Sequence, residues 1–425
     1  MEMPEATTIA FKHCTILHPE TGSLEAGKCI VVENGRISAI ADDSAAPENA
    51  IDAKGLTVMP GMIDCHVHVI ASDMDLGRNA LLPNVLASFR SIPILRRMIE
   101  RGFTTVRDAG GADYSLAQAT ETGLITGPRI FPSGRALSQT GGHGDFRARN
   151  DIIEPCACSQ KVGAIARVVD GVDNVRRAVR EEIQKGATQI KIMASGGVAS
   201  PNDPIHFLGY SEDEIIAIVE EASNAGTYVM AHAYTPQAIQ RAIKCGVRTI
   251  EHGNLLDEAT ARIMVEHGAF LVPTTVTYDA LFNDGPRFGF PPALMPKIEA
   301  VRSAGIRALS IAHEAGVEMA FGSDLLGKTH DQQANEFKIR ADILGNLEAI
   351  RSATTVAAKV LQREQELGVV KEGAYADLLF IDGNPLDDIS VLLNQGSKLK
   401  AIMKNGEWVK NELENQPAQN SATRA

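Results

Sequence analysis

Cysteine, aromatic residues and basic surplus are all scarce: 425 residues hold six cysteines, one tryptophan and 5% aromatics. Cys14, Cys29, Cys65, Cys156, Cys158 and Cys245 form no C-x-x-C pair and no dense framework, so reduced thiols are expected. The C-x-C at 156 and 158 alone makes a poor zinc site. Lysine and arginine number 41 against 53 acids, a formal net charge of −12. Clustered basic residues are absent, which excludes nucleic acid as a partner. The first residues, "MEMPEATTIAFKHC", lack a basic region followed by an apolar one, and no apolar run is long enough to span a bilayer. The expectation is therefore a cytoplasmic protein with no membrane partner.

What is present is an ordinary globular composition, 44% hydrophobic and 22% charged. The length suits one large domain and one small. Both chain ends read as short strands, "TTIAFKHCTIL" and "KCIVVENGRISAIA" at one end, "AYADLLFID" and "LKAIMKNGEWV" at the other. Asn34-Gly35 and Asn405-Gly406 are hairpin turn signals. Residues 1–59 and 367–425 are expected to pair into a small β-sandwich domain.

Across 60–366 short β-branched runs alternate with helical stretches that end near glycines. Eight runs stand out, at 57–68, 103–108, 129–134, 188–194, 227–232, 247–252, 269–275 and 317–324. Eight strand–helix units predict an α/β fold, a (β/α)8 TIM barrel, with a doubly wound sheet as the runner-up.

In such a barrel the reactive groups sit at the C-terminal ends of the strands. Run one ends in His66 and His68, whose i, i+2 spacing puts both imidazoles on one strand face. Run four carries Lys191, run five ends in His232, run six in His252 and run eight in Asp324. Each has a bland reading alone: a half-buried polar strand residue, a satisfied core histidine, a helix cap at Asp324. Lys191 resists it most, since lysine inside an apolar strand is rarely buried without a partner. Four imidazoles and a carboxylate suit two divalent ions, zinc foremost. An ammonium would repel them, so Lys191 fits only as a carbamate formed with CO2, bridging the pair. A hydroxide between the ions is then the expected nucleophile.

The stretches "GMIDCHVHV", "MAHAYT", "TIEHGN" and "AFGSD", with the lysine strand, resemble the metal-dependent amidohydrolase superfamily over nearly the whole chain. More narrowly, "GFTTVRDAGG", "LSQTGGHGD", "IKIMASGGVASP" and "AHAYTPQAI" resemble its imidazolonepropionase-related branch of prolidase-like and Xaa-Arg/Lys dipeptidases. The resemblance implies that His66, His68 and Asp324 hold the more buried ion and His232 and His252 the more exposed one. It also implies that carboxylated Lys191 bridges them, that Asp324 shuttles the proton, and that His143 and Tyr234 contact the substrate carbonyl. A homo-oligomer, up to an octamer, is implied as well.

The expected reaction is hydrolysis of the amide of an N-acyl amino acid or dipeptide with a free carboxylate. An aromatic example is ochratoxin A, cleaved to ochratoxin alpha and phenylalanine. The stretch 137–171 is too long for an ordinary strand–helix connection and reads as a substrate loop. Arg147 and Arg149 within it, and the backbone N–H groups of Gly196 and Gly197, are candidate carboxylate holders. Ser88 and Phe89 are candidates for the acyl pocket, although a plain amphipathic helix explains them equally. Competing functions are a mononuclear deaminase, an imidazolonepropionase-like hydrolase of a cyclic amide, a phosphoesterase and a non-catalytic scaffold. Lys191 tells against the first two, and the complete ligand set against the last.

Overall fold

The structure is a computed structural model that describes residues 8–147, 161–200 and 202–413. The chain begins with β1 (Thr8–His18), β2 (Ser23–Glu33), β3 (Arg36–Asp42), β4 (Ile51–Asp52) and β5 (Thr57–Pro60). The barrel strands follow: β6 (Met62–Val67), β7 (Phe103–Asp108), β8 (Arg129–Phe131), β9 (Ala136–Ser138), β10 (Ala166–Val168), β11 (Ile190–Met193), β12 (Val229–Ala233), β13 (Thr249–His252) and β14 (Phe270–Val272). Last come β15 (Leu378–Ile381), β16 (Leu399–Lys404) and β17 (Glu407–Asn411).

Both ends build one sheet, ordered β17-β16-β15-β5-β1-β2-β3 with β4 beside β1. It wraps a core of Phe11, Ile30, Val58, Phe380 and Met403. Its β3 edge reaches round to the segment ahead of β15, where the Ile37 N–H donates to the Ala374 carbonyl. Leu17, Met59, Leu379 and Ile402 pack it onto Met62, Phe103, Phe321 and Phe337 of the barrel side.

Parallel pairing runs β6-β7-β8 and β9-β11-β12-β13-β14. Two predicted strands take a different form. Run three, 129–134, is strand only over β8, which pairs with β7, whereas a further strand, β9, lies just beyond the run and pairs with β11 through Leu137 and Ile192. The final run, 317–324, is bonded on both sides without forming a regular strand. The Leu271 N–H donates to Glu318 and the Ala320 N–H to Leu271, while Cys65 N–H donates to Phe321 and Asp324 N–H to His66. Those bonds close the barrel. Among the described residues, no helix is long and apolar enough to cross a membrane.

Run one, 57–68, divides into β5 and β6 at Gly61, so one apolar run serves two sheets. A Cβ on Gly61 would lie 2.0 Å from Thr104 Oγ1 and 2.6 Å from its Cγ2, so nothing larger fits where the chain crosses. Gly61→Ala is expected to destabilise the fold by about 1–3 kcal/mol through overpacking. Chemical denaturation measures it, and in a Thr104→Ala background the cost should shrink. An equal cost in both backgrounds would remove this contact as the cause.

Candidate active site

Local structure brings the predicted residues to one mouth. After β12 the chain turns at once into the helix Pro236–Lys244, because Thr235 caps the Ala238 N–H and Pro236 occupies its first turn. His232 and Tyr234 are thereby fixed at the strand end. His252, pairing opposite Ala233, closes β13 with φ +74°. Asp324 has φ +50°. Non-glycine residues rarely adopt this left-handed conformation, and such strain clusters at functional sites. Asp64 helps to hold it: its Oδ1 accepts the N–H of both His66 and Ser323, tying β6 to the closing segment.

His66, His68, Lys191, His232, His252 and Asp324 line one cavity of about 40 Å³, together with His143 and Tyr234. His66 Nε2 lies 3.5 Å and His68 Nε2 3.3 Å from Asp324 Oδ1. His66, His252 and Asp324 present ligand atoms within 4.8 Å of one another, a group able to hold a metal ion.

One nitrogen of each ring is tethered. His66 Nδ1 bonds Glu251 at 2.7 Å, His68 Nδ1 the Gly110 carbonyl at 3.0 Å, His252 Nδ1 Thr274 at 2.8 Å, and His232 Nε2 the Gly196 carbonyl at 3.2 Å. Each carbonyl or carboxylate fixes its ring's N–H there and leaves the other nitrogen a free lone pair. His66 Nε2 is buried with no hydrogen-bond partner. Lys191 is 1% exposed, and no hydrogen bond to its amine is found among the described residues. These are the features of donors built for a cation, so the residues fit a metal centre.

Charge is balanced by residues that were not anticipated from sequence. Arg107, fully buried, donates to Cys65 O, Thr249 Oγ1 and both oxygens of Glu251. Burial pushes the Glu251 carboxyl up, but Arg107 and His66 outweigh it and hold it down to about 2. Burial lowers the Lys191 amine to about 8 against the pull of Glu251 and Asp324. It also takes His232 and His252 well below the usual imidazole range. Burial opposes ionisation of Asp324, yet His66, His68 and His252 hold it well below the usual carboxylate range. Arginine in the strand "FTTVRD" and glutamate beside a histidine in "TIEH" were the available signals.

His143 bonds Ser200 Oγ at 2.6 Å and Asp203 Oδ2 at 3.0 Å through Nδ1. Its ring stacks on His232 with centroids 4.1 Å apart. The Tyr234 hydroxyl bonds that of Tyr278 at 2.8 Å, and its ring stacks on His252.

The substrate contacts need correction. The Gly196 N–H donates to Phe207 O and the Gly197 N–H to Asp203 Oδ2, so neither is available for a ligand carboxylate. Gly197 has another use: a Cβ there would fall within 2.1 Å of the His143 ring. Arg147 is held bidentately by Asp145, with both contacts at 2.7 Å, and does not line the cavity. Arg149, like Cys156 and Cys158, lies outside the described residues. Ser88 bonds back to Asn84 O on the helix Asn84–Glu100, and Phe89 is 64% exposed; neither lines the cavity. Amphipathic spacing gave the helix but not its outward face. The apolar lining is instead Leu76, Phe146, Ile165, Val198, Leu281 and Leu326.

Comparison with known proteins agrees with this geometry. Ochratoxinase of Aspergillus niger is 31% identical over 393 residues, 88% of this chain and 82% of that protein. The crystal structure of a prolidase complexed with N-methylphosphonate-L-proline superposes with TM-score 0.94 at 60% identity, covering 95% of this chain and 100% of the other. A Xaa-Pro dipeptidase with methionine bound in its active site gives TM-score 0.85 at 29% identity, covering 95% and 100%. The amidohydrolase family pattern matches residues 57–409, from the strand before the first histidine pair to the last strand of the small sheet. The chain belongs to the amidohydrolase family and is a hydrolase acting on amide bonds.

Proposed function

We propose that the protein is a binuclear metal-dependent hydrolase of N-acyl amino acids and dipeptides with a free carboxylate, ochratoxin A among them. The observation that carries this reading is the buried, unpartnered His66 Nε2 beside Asp324, in the same cavity as the buried Lys191, for whose amine no hydrogen bond is found among the described residues. The prolidase, dipeptidase and ochratoxinase relatives support the substrate class by their names.

In this reading His66, His68 and Asp324 would hold one ion, His232 and His252 a second, and Lys191, once carboxylated on Nζ, would contribute a further oxygen ligand. Two divalent cations, zinc in the first instance, supply Lewis acidity toward the carbonyl and lower the pKa of water. The chain's own residues do the rest. Asp324 takes the proton of the attacking water and delivers it to the departing amide nitrogen. With a proton on each ring nitrogen, one of them held by Asp203, His143 donates to the carbonyl oxygen through Nε2 as negative charge develops there, and the Tyr234 hydroxyl donates beside it. Leu76, Phe146, Ile165 and Leu281 give the acyl group an apolar wall. Assembly into a homo-oligomer is part of the same proposal and rests on the resemblance alone.

Purified protein is expected to carry close to two divalent ions per chain by elemental analysis, and Lys191→Ala to lose binuclear binding. Full activity with a single tightly bound ion would exclude the two-metal reading. Asp324→Asn keeps an oxygen but cannot carry a proton, so kcat should fall by about 10²–10⁴ or more. A variant within tenfold of the parent in steady-state kinetics would place the proton carrier elsewhere. For the substrate, methyl esterification of the free carboxylate of an N-aroyl-phenylalanine should lower kcat/KM about 10²-fold. An ester whose amide is cleaved as fast as the acid's would move the assignment to neutral amides.

A further inference from the structure

Val198 and Ala199 line the cavity, and their neighbours Ser200 and Asp203 supply both partners of His143. One cation beneath them is not absorbed by the scheme above. Lys297, in the first turn of the helix Met295–Ala315, sends its Nζ to three backbone carbonyls: Gly197 at 2.9 Å, Ser200 at 2.9 Å and Asp203 at 2.8 Å. An ammonium has three donors, so these contacts use all of them. Among the described residues no carboxylate lies within ion-pairing distance of it; the charge is spent on peptide dipoles. Burial lowers this amine, with only Asp203 opposing the shift.

The three carbonyls belong to the residues that hold His143. Ser200 Oγ and Asp203 Oδ2 both meet its Nδ1, Ser200 donates to Asp203 Oδ1, and the Gly197 N–H donates to Asp203 Oδ2. Gly197 itself packs flat against the imidazole. We propose that Lys297 is a positioning residue of the amide-cleaving site, clamping these three carbonyls so that Asp203 and Ser200 hold the Nδ1–H of His143 and present its Nε2–H to the substrate carbonyl. Lys297 touches no reacting atom; it acts through His143. Displacing a group by about 1 Å in such a site costs on the order of 10²-fold in rate. The inference rests on the assignment of His143 as a carbonyl donor.

The test is a double-mutant cycle on the metal-loaded full chain, with an N-acyl amino acid as substrate. Lys297→Met should lower kcat/KM about 10–100-fold, mostly in kcat, with metal content equal to the parent's. Added to His143→Ala, it should change the remaining rate less than threefold. Losses that multiply, a single variant within threefold of the parent, or loss of metal would each overturn the proposal. If Lys297→Met does not fold, Lys297→Gln is read against the same limits. A crystal structure of the variant keeps this independent of the substrate assignment. His143 should be turned from its place on Gly197 and Asp203, whatever the parent hydrolyses. An unmoved ring would refute the clamp even if the parent proves to be an N-acyl amino acid hydrolase. A parent inactive on that class would refute the functional reading alone.

Discussion

The bond between Arg107 and Glu251 is the constraint on which the rest of the site depends. Both side chains are fully shielded from water, and taking two charges out of water costs several kcal/mol before their attraction is counted. Stability is therefore a poor reason for the pair. Its consequence lies in what each partner does next. Arg107 belongs to β7, bonds the Cys65 carbonyl on β6, and reaches Thr249 and Glu251 on β13, so three strands are fixed relative to one another by one guanidinium. Neutralised in this way, Glu251 stays ionised and takes the N–H of His66. Without the arginine, that carboxyl would be driven toward its neutral form, and His66 would lose the partner that decides which nitrogen faces Asp324.

The same logic repeats at lower charge around the mouth. His68 leans on a peptide carbonyl, His252 on a threonine hydroxyl and His232 on the carbonyl of a glycine in a loop. For His66, His68 and His232 a carboxylate or carbonyl acceptor fixes which nitrogen is spare, so those donors are arranged before any ligand arrives. Asp324 and His252 accept left-handed backbone to complete the set. A strained residue persists only where its surroundings over-determine it. The bonds from Asp64 to both His66 and Ser323 provide that restraint for Asp324.

Most of the fold, and the convergence of the candidate ligands, was legible in the sequence for physical reasons. Period-two spacing of His66 and His68, a lysine in an apolar strand, and the barrel's habit of collecting strand ends at one mouth are all local signals. Where legibility failed, the cause was a partner distant in sequence or a choice of face. Gly196 and Gly197 looked like free N–H groups because Phe207 and Asp203, which occupy them, are set there by a turn that spacing does not reveal. Arg147 looked like a carboxylate clamp, although the carboxylate it holds is Asp145, two residues away. Ser88 and Phe89 sit on a real helix whose exposed side faces water. The break at Gly61 was hidden because an apolar run reads the same whether it feeds one sheet or two.

Lys297 shows why the substrate side of the mouth resists sequence reading more than the metal side does. The candidate metal donors come from strand ends, where position along the strand fixes position in space. His143 instead comes from a loop, is held by a second loop some sixty residues on, and that loop is fastened by a helix almost a hundred residues further. No periodicity links the three segments, and three carbonyl acceptors leave no trace in side-chain identity. The arrangement separates two functions mechanically. Changes in the 196–204 loop or in Lys297 would shift the group facing the carbonyl without disturbing the rings tethered to Glu251, Gly110 and Thr274. Among the described residues two contacts cross between them, the Gly196 carbonyl, which accepts from His232, and the stack of the His143 ring on His232.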